Sequence, residues 1–381
     1  MLKRWCDRGY KEEFVNKIDF ANLKKAHIAH KKEIEEAILR VVRNANYIMG
    51  EEVERLEEEL VEFIGGGYAI TCSSGSDALL LALMALDINQ GDEVITTPFT
   101  FIATAEMIAL LGAKPIFVDI SLEDYNLDFN LIESKITPKT KAILAVSLYG
   151  QPPNLRKLEE IAKKYNVRLI LDGAQSFGAE FMKRKDSLYG DITTTSFFPA
   201  KPLGCYGDGG AVFTKDKCLA DRVASLRIHG QKQRYIHQYI GIGGRLDSIQ
   251  AAILRVKLRY FKGDIFLRQK VALGYQEGIK SANAILPKVL EYRTSTFAQY
   301  TIRVKNREAL REKLKAEGIP TAVHYPLCLH LQECFAFLGH SCGDFPNAEL
   351  ASKEVLSLPM NPYLEDGEIE YICKKINERV E

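Results

Sequence analysis

Two spacings of hydrophobic residues divide the chain. Up to about residue 64, apolar residues recur at intervals of three and four, which is typical of helices that bury one face. From residue 68 onward, short apolar runs alternate with amphipathic stretches. Strand and helix in repetition predict an α/β fold with a mostly parallel sheet covered on both faces. The predicted strands are YAITCS, GDEVITTP, KPIFVDI, KAILAVSL, VRLILDG, ITTTSFF and GGAVFT.

The C-terminal part has a different pattern. A long helix that begins near Asp247 leads out of the sheet region, and further helices, one strand (FAQYTIRV) and a proline-punctuated loop (LPMNPYL) follow. A chain of 381 residues is long enough for two domains. We therefore predict N-terminal helices and a large α/β domain over residues 1–264, and a smaller α+β domain over residues 265–381.

Composition excludes several classes of partner. The formal net charge of +1 gives neither the basic excess of a nucleic-acid-binding protein nor an acidic tail. Residues 1–14 lack the apolar core of a signal peptide, and no run approaches the roughly 20 apolar residues of a membrane helix. We expect a cytoplasmic protein with no nucleic-acid or membrane partner. The eight cysteines include no CxxC pair, so we predict no metal site.

A lysine in a glycine-rich loop is the first candidate for catalysis. Lys201 lies between Pro199 and Pro202, which restrict the backbone around it. Several glycines follow, and they allow the chain to pass close to a ligand. A lysine held in this way is able to form a Schiff base with a carbonyl group. The alternative is an ordinary solvated lysine in a loop.

An aspartate follows the apolar run LILD. Asp172 would lie at the carboxyl end of a strand, where ligands of α/β sheets bind. A buried carboxylate needs a cation beside it, and a protonated pyridine nitrogen would serve. The alternative is an aspartate that caps the following turn. Gln175, three residues further on, is able to hydrogen-bond an aromatic hydroxyl.

The segment TCSSGSDALLLAL (71–83) predicts a strand, a turn and a helix. Backbone N–H groups at the start of a helix bind phosphate, and serine hydroxyls add donors. Gly75, Ser76 and Asp77 would form that start, although serine and aspartate are also common helix caps. Ser196 is a further candidate for a phosphate contact.

Taken together, these groups match one small molecule. It carries a carbonyl for the lysine, a basic ring nitrogen for the aspartate, a phenolic oxygen for the glutamine and a phosphate for the helix start. Pyridoxal 5′-phosphate (PLP) has all four, and a lysine Schiff base with an acidic partner at the ring nitrogen is its usual binding pattern.

The chain resembles the DegT/StrS-type PLP-dependent nucleotide-sugar aminotransferases, which have the aspartate aminotransferase fold (PLP fold type I). The resemblance runs from about Ile18 to the C-terminus. It implies a large domain with a mostly parallel seven-stranded sheet and a small C-terminal domain. The motifs that carry it are SSGSDALLLAL, PFTFIATA, LILDGAQSFGA, SFFPAKPLGCYGDGG and GGRLDSIQAAIL.

The resemblance also implies roles for individual residues. Lys201 matches the Schiff-base lysine and Asp172 the partner of the ring nitrogen, and both are expected to be catalytic. Gln175 matches the contact of the ring hydroxyl, and Phe101 matches the aromatic residue that stacks on the ring. The residues that match the phosphate contacts are Gly75, Ser76 and Ser196.

Arg245 resembles a residue that one subunit donates to its neighbour's site, which implies a homodimer with shared active sites. Three positions depart from the family pattern. Gly243 stands where many relatives carry an asparagine that reaches the partner's cofactor phosphate. Ser147 replaces a common histidine, and Gly173 replaces a common alanine. None of these changes removes a group that the reaction requires.

Within the family, the chain is most similar to enzymes that aminate a 3-oxo sugar on UDP, such as UDP-2-acetamido-3-oxo-glucuronate aminotransferases. His324 and Tyr325 then match residues that line the sugar pocket. The implied reaction transfers an amino group from L-glutamate, which leaves as 2-oxoglutarate, to a sugar for bacterial surface polysaccharide or lipid A. The group at C6, alcohol or acid, stays open, and a 4-oxo sugar is the alternative.

Three other functions are less consistent with the sequence. A sugar dehydratase of the same fold would carry a histidine in place of Lys201. A non-catalytic sensor would be free to lose Lys201 or Asp172, and both are present. A nicotinamide dehydrogenase is disfavoured because GIGG (241–244) follows no clear strand and the chain has no GxGxxG motif.

Overall fold

The computed structural model describes residues 18–380. Residues 1–14, for which no signal peptide was predicted, lie outside this range. In chain order the helices are α1 (Leu23–Ala29), α2 (Lys31–Asn44), α3 (Glu51–Ile64), α4 (Gly75–Ala85), α5 (Ala103–Leu110), α6 (Phe129–Ile132), α7 (Leu155–Tyr165), α8 (Lys217–Leu226), α9 (Ser248–Gly278), α10 (Arg307–Ala316), α11 (Pro346–Glu354) and α12 (Asp366–Arg379). Short 3₁₀ turns span Glu133–Lys135, Leu148–Gly150, Asp186–Leu188, Leu329–Leu331 and Glu333–Leu338.

In chain order the strands are β1 (Tyr68–Cys72), β2 (Glu93–Thr96), β3 (Lys114–Phe117), β4 (Thr140–Val146), β5 (Arg168–Asp172), β6 (Glu180–Phe181), β7 (Arg184–Lys185), β8 (Ile192–Ser196), β9 (Gly210–Thr214), β10 (Gln231–Gln233), β11 (Ile236–His237), β12 (Tyr300–Arg303) and β13 (Val355–Leu358).

Seven of these strands form one sheet in the order β1-β9-β8-β5-β4-β2-β3. β9 is antiparallel to both of its neighbours, and the pairs from β8 to β3 are parallel. The central strands are buried on both faces: Ile143, Leu144, Ile170 and Leu171 have no exposed surface. This explains why their sequences are continuous apolar runs. The predicted α/β fold with a mostly parallel seven-stranded sheet is confirmed.

The register of the sheet brings several strand ends to one edge. Val146 at the end of β4 pairs with Asp172 at the end of β5. Ser196 at the end of β8 and Cys72 at the end of β1 both pair with Gly210, the first residue of β9. The carboxyl ends of four strands therefore meet around the start of the antiparallel strand.

A second, smaller sheet forms the centre of the C-terminal part. β12 and β13 are antiparallel, and β13 was missed in the sequence because VLSL is short and is followed at once by a proline. The core around them includes Tyr275 from α9, Tyr300 and Ile302, and it also takes in Ile18 from the start of the described chain.

The predicted boundary between residues 264 and 265 falls within α9, which is continuous from Ser248 to Gly278. One continuous helix therefore connects the two parts, and the division into domains stays a prediction. Between residues 18 and 380, no helix is both long and apolar enough to cross a bilayer. In the same range, no cluster of three or more histidine, cysteine or acidic side chains is arranged to hold a metal ion.

Candidate active site

A cavity of about 520 Å³ lies at the edge of the sheet where the strand ends meet. Its walls come from the last residue of β4, from the ends of β5 and β8 with the loops that follow them, from the segments after β1 and β2, and from the segments before β12 and after α10. It brings together nine of the ten residues to which the family resemblance assigned a role. They are Gly75, Ser76, Phe101, Asp172, Gln175, Ser196, Lys201, His324 and Tyr325.

A larger cavity of about 760 Å³ lies between α2, α3 and α9 and contains none of those residues. Its arginines are paired with carboxylates. Arg255 contacts Glu52 at 2.6 Å and Glu59 at 2.7 Å, and Arg40 contacts Glu52 at 2.9 Å. Because these charges compensate one another, we place the candidate site in the cavity at the edge of the sheet.

Asp172 is the buried acid of this site. Its Oδ2 accepts a hydrogen bond from Thr104 Oγ1 at 2.9 Å, and its Oδ1 accepts one from the backbone N–H of Ala174 at 3.1 Å. Burial raises the pKa of the carboxyl group, while the two hydrogen bonds and the charge of Lys201 oppose that rise. A buried carboxylate in this position favours the binding of a positively charged group in the cavity.

Lys201 extends into the cavity from the turn after β8. Its backbone N–H donates to the Phe198 carbonyl at 2.8 Å, and Lys257 Nζ donates to the Gly204 carbonyl further along the same turn. Burial lowers the pKa of the Lys201 amine, and the negative charge of Asp172 opposes the shift. More of this amine is therefore neutral, and able to act as a nucleophile or base, than in a solvated lysine.

The start of α4 provides the candidate phosphate site. Ser74 caps the helix, because its Oγ accepts the N–H of Asp77 at 3.0 Å. Gly75 lies so close to β8 that a Cβ on it would be 2.6 Å from Ser196 Cβ. Only glycine permits this approach, which sets Ser196 beside the N–H groups of the first turn. Ser76 lines the same end of the cavity.

Gln175 connects two walls of the cavity. Its Oε1 accepts the backbone N–H of Tyr149 at 2.7 Å, and its Nε2 donates to the Tyr325 hydroxyl at 3.2 Å. Tyr149 in turn donates its hydroxyl to the His324 carbonyl. Burial raises the pKa of the Tyr325 hydroxyl, so Tyr325 stays protonated and able to donate.

His324 is a neutral group in the cavity wall. Its Nδ1 lies 2.9 Å from Ser357 Oγ, which leaves Nε2 as the nitrogen available to a ligand. Burial, together with the positive charge of Lys201, lowers the pKa of this imidazole to about 4. Phe101, in contrast, is 55% exposed, and its ring centroid lies 6.4 Å from that of Tyr325. A half-uncovered aromatic ring at a cavity suits stacking on a second ring.

Arg245 is the predicted site residue that the chain does not bring to its own cavity. It is exposed on the segment before α9 and does not line the cavity. Its guanidinium lies near Gly243, since a Cβ built on that glycine would be 3.7 Å from Arg245 Nη2.

Sequence reasoning missed several residues of the site, and three of them are polar groups from separate segments. Thr104 bonds the carboxylate of Asp172, Tyr149 bonds Gln175, and Gln299 lines the cavity from the C-terminal part. Thr104 carried a signal, because it lies in the quoted motif PFTFIATA, one helical turn after Thr100. The other two gave none, since they approach from distant parts of the chain.

The residues present fit PLP. The buried carboxylate of Asp172 would pair with the protonated ring nitrogen, and the amine of Lys201 would react with the carbonyl. The exposed ring of Phe101 would stack on the cofactor ring. At the other end, the close approach of Gly75 to Ser196 sets the Ser196 hydroxyl beside the N–H groups of the first turn of α4, and these donors suit a phosphate. Each part of the cofactor therefore has a group of the right chemistry beside it.

Comparison with known proteins identifies related sequences and structures. The model of the DegT/DnrJ/EryC1/StrS aminotransferase family matches residues 29–377. A UDP-2-acetamido-2-deoxy-3-oxo-D-glucuronate aminotransferase of Pseudomonas aeruginosa is 47% identical over 356 residues, which are 93% of this chain and 98% of that protein.

Two further similarities come from Streptomyces venezuelae. A dTDP-3-amino-3,4,6-trideoxy-alpha-D-glucose transaminase is 37% identical over 350 residues, 92% of each chain. The crystal structure of DesV in complex with a ketimine intermediate superimposes with a TM-score of 0.93 at 36% identity. It covers 95% of this chain and 98% of that chain.

Proposed function

We propose a substrate and residue roles on the premise that this chain belongs to the DegT/DnrJ/EryC1/StrS aminotransferase family and is a PLP-dependent nucleotide-sugar aminotransferase. The substrate that we propose is a UDP-linked 2-acetamido-3-oxo sugar of the N-acetylglucosamine or uronic acid type, with L-glutamate as amino donor. The 47% identity with the Pseudomonas aeruginosa enzyme carries this proposal. The Streptomyces venezuelae relative, named for a dTDP sugar with its amino group also at C3, has lower identity.

When bound, PLP supplies an electron sink and carries the amino group between the two substrates. We assign to Lys201 Nζ the attachment of the cofactor and the proton transfers at the α-carbon of the amino donor and at C3 of the sugar. Its lowered pKa suits this work, because a base must be neutral to take a proton. We assign to Asp172 the task of holding a proton on the ring nitrogen.

The remaining residues of the cavity bind and orient. Phe101 would stack on the cofactor ring, and Gln175 would contact the ring hydroxyl. The phosphate would accept hydrogen bonds from the N–H groups of the first turn of α4 and from the Ser196 hydroxyl. His324 and Tyr325 would hydrogen-bond the sugar, one as a neutral imidazole and the other as a protonated hydroxyl.

We also propose a homodimer in which Arg245 completes the partner's site. Among residues 18–380, Lys201 is the one lysine or arginine side chain that lines the cavity of a single chain. Its ligands would include a cofactor phosphate, a nucleotide diphosphate and the carboxylates of glutamate, so further cations are needed. Arg245 is exposed, and the β10–β11 hairpin before it presents Tyr235 and Ile236, which are 79% and 56% exposed.

Mixing two inactive variants tests the shared site. Co-expression of Lys201→Ala with Arg245→Ala should restore about a quarter of wild-type activity. Half of the dimers formed at random are mixed, and each mixed dimer has one intact site. Mixed dimers isolated with two different tags should have about half of wild-type activity, since one of their two sites is intact, and this activity is the measurement.

Lys201→Ala mixed with Asp172→Asn is the matched control. Both residues belong to the cavity of the same chain, so every site in that mixture keeps one defect and no activity should return. An Arg245→Ala variant that is inactive alone and is not complemented would show that Arg245 acts within its own chain.

The substrate is tested by running one half-reaction backwards with stable amino sugars. Purified enzyme with PLP is mixed separately with UDP-2-acetamido-3-amino-glucose, with its uronic acid and with a 4-amino counterpart. Absorbance follows conversion of the cofactor from its pyridoxal to its pyridoxamine form. We expect rapid conversion with one of the 3-amino sugars, and the faster one identifies the group at C6.

The other outcomes contradict the proposal at different levels. Conversion by the 4-amino sugar alone would overturn the position of amination and keep the reaction class. No conversion by any of the three, in an enzyme that glutamate does convert, would show that the sugar is wrong. No conversion by glutamate would remove the proposed donor.

A further inference from the structure

Thr104 supplies a hydrogen bond directly to Asp172. It lies in the first turn of α5, and its side chain has no exposed surface. The hydroxyl is 2.9 Å from Asp172 Oδ2 and 3.2 Å from Thr100 Oγ1. A hydroxyl has one proton and an ionised carboxylate only accepts, so Thr104 must donate to Asp172, and Thr100 then donates to Thr104. The three side chains form one directed chain that ends on the carboxylate.

Nearby hydroxyls do not share this role. The backbone N–H of Ser147 donates to the Asp172 carbonyl at 3.0 Å, but its buried hydroxyl has no hydrogen-bond partner among residues 18–380. The other carboxyl oxygen of Asp172 is bonded by a backbone group, the N–H of Ala174. The hydrogen bond that a side-chain substitution removes most cleanly is therefore the one from Thr104.

We propose that Thr104 is a positioning residue that keeps Asp172 ionised and its Oδ2 fixed, so that the ring nitrogen of the cofactor keeps its proton. The inference rests on the role proposed above for Asp172. Burial favours the neutral carboxyl group, and each donated hydrogen bond favours the carboxylate. The proton between Asp172 and the ring nitrogen resides on the stronger base. Loss of the Thr104 bond would make Asp172 a stronger base and so shift the proton from the ring nitrogen towards the carboxylate.

Thr104→Val tests this, because it removes the hydroxyl and keeps the branched shape. The readout is the ¹⁵N resonance of enzyme loaded with PLP labelled at the ring nitrogen, which distinguishes pyridinium from pyridine. We expect the resonance to move from the pyridinium towards the pyridine position. The rate constant of the glutamate half-reaction should fall about 10- to 100-fold, the size of a lost hydrogen bond to a charged group. Thr104→Ser should retain both properties.

Thr96→Val is the matched control. Thr96 is equally buried, and its hydroxyl donates to the Leu144 carbonyl at 2.9 Å rather than to a carboxylate. It should leave the ¹⁵N resonance and the rate constant unchanged. If Thr104→Val does not fold, Thr104→Ala removes the same hydroxyl and permits the same measurements.

Asp172→Asn distinguishes an error in the role of Thr104 from an error in the role of Asp172, on which it depends. If Asp172→Asn changes the ring resonance and the rate constant, but Thr104→Val changes neither, the role of Thr104 is wrong and that of Asp172 stands. If Asp172→Asn changes neither, the proposed role of Asp172 is wrong, and the inference about Thr104 falls with it.

Discussion

Lys201→Ala is expected to abolish turnover, with a loss of at least about 10⁴-fold in the rate of the glutamate half-reaction. The substitution removes both the group that attaches the cofactor and the base that moves the proton, and acid–base catalysis alone contributes up to about that factor. Stopped-flow absorbance of the loaded enzyme measures the rate. Borohydride reduction followed by peptide mass analysis should find the cofactor fixed on residue 201 of the wild type and on no residue of the variant.

The pH dependence of the wild type gives a second check on Lys201. Burial lowers the pKa of the amine from the ordinary value of 10.5. The neutral form is the base, so the rate of proton transfer should rise with pH and level off below that value. Added methylamine should restore part of the activity of Lys201→Ala and leave the wild type unchanged.

Lys215→Ala is the control for a lost lysine. Lys215 is exposed directly after β9 and lies outside the cavity, so its loss should leave the rate unchanged. Near-normal activity of Lys201→Ala without added amine would end the assignment of Lys201.

The sheet and the position of the site follow from local features of the sequence. Strands that are buried on both faces have sequences that are continuous apolar runs, and KAILAV and LILD are two examples. Parallel strands bring their carboxyl ends to one edge, so Asp172 and the turn after β8 were predictable neighbours. That the sequence belongs to a PLP-dependent aminotransferase was also predictable, since its motifs are local.

What the sequence did not reveal depends on long-range packing. Thr104 and Asp172 are 68 residues apart, and the hydrogen bond between them exists only because the fold brings the first turn of α5 beside the end of β5. Tyr149 is held with φ of 58°, a conformation that its sequence neighbours do not signal. The role of Arg245 is even harder to predict from the sequence, because the role proposed for it involves a second chain.

Asp172→Asn is expected to slow the glutamate half-reaction about 10²- to 10³-fold with PLP bound. An amide is neutral and does not hold the proton on the ring nitrogen, so the ring accepts electrons less well. The size is that of one lost electrostatic contact in an active site. Single-turnover absorbance at saturating glutamate measures it.

Stability should change in the opposite direction in the enzyme without cofactor. Burial raises the pKa of Asp172 above the value of 3.8 in an unfolded chain. As pH rises through these two values, the unfolded chain loses this proton first, so the folded state loses stability relative to it. At neutral pH, the cofactor-free Asp172→Asn enzyme should therefore unfold at the same or a higher denaturant concentration than the wild type. PLP should then stabilise the wild type more than the variant.

Asp186→Asn separates the effect of burial from the effect on catalysis. Asp186 is also fully buried, burial raises its pKa to about 7, and it does not line the cavity. Its replacement should change stability and leave the half-reaction rate unchanged, whereas Asp172→Asn should change the rate. Asp172→Asn with PLP bound and an unchanged rate constant would contradict the role assigned to Asp172, because a carboxylate needed only for folding would act through stability alone.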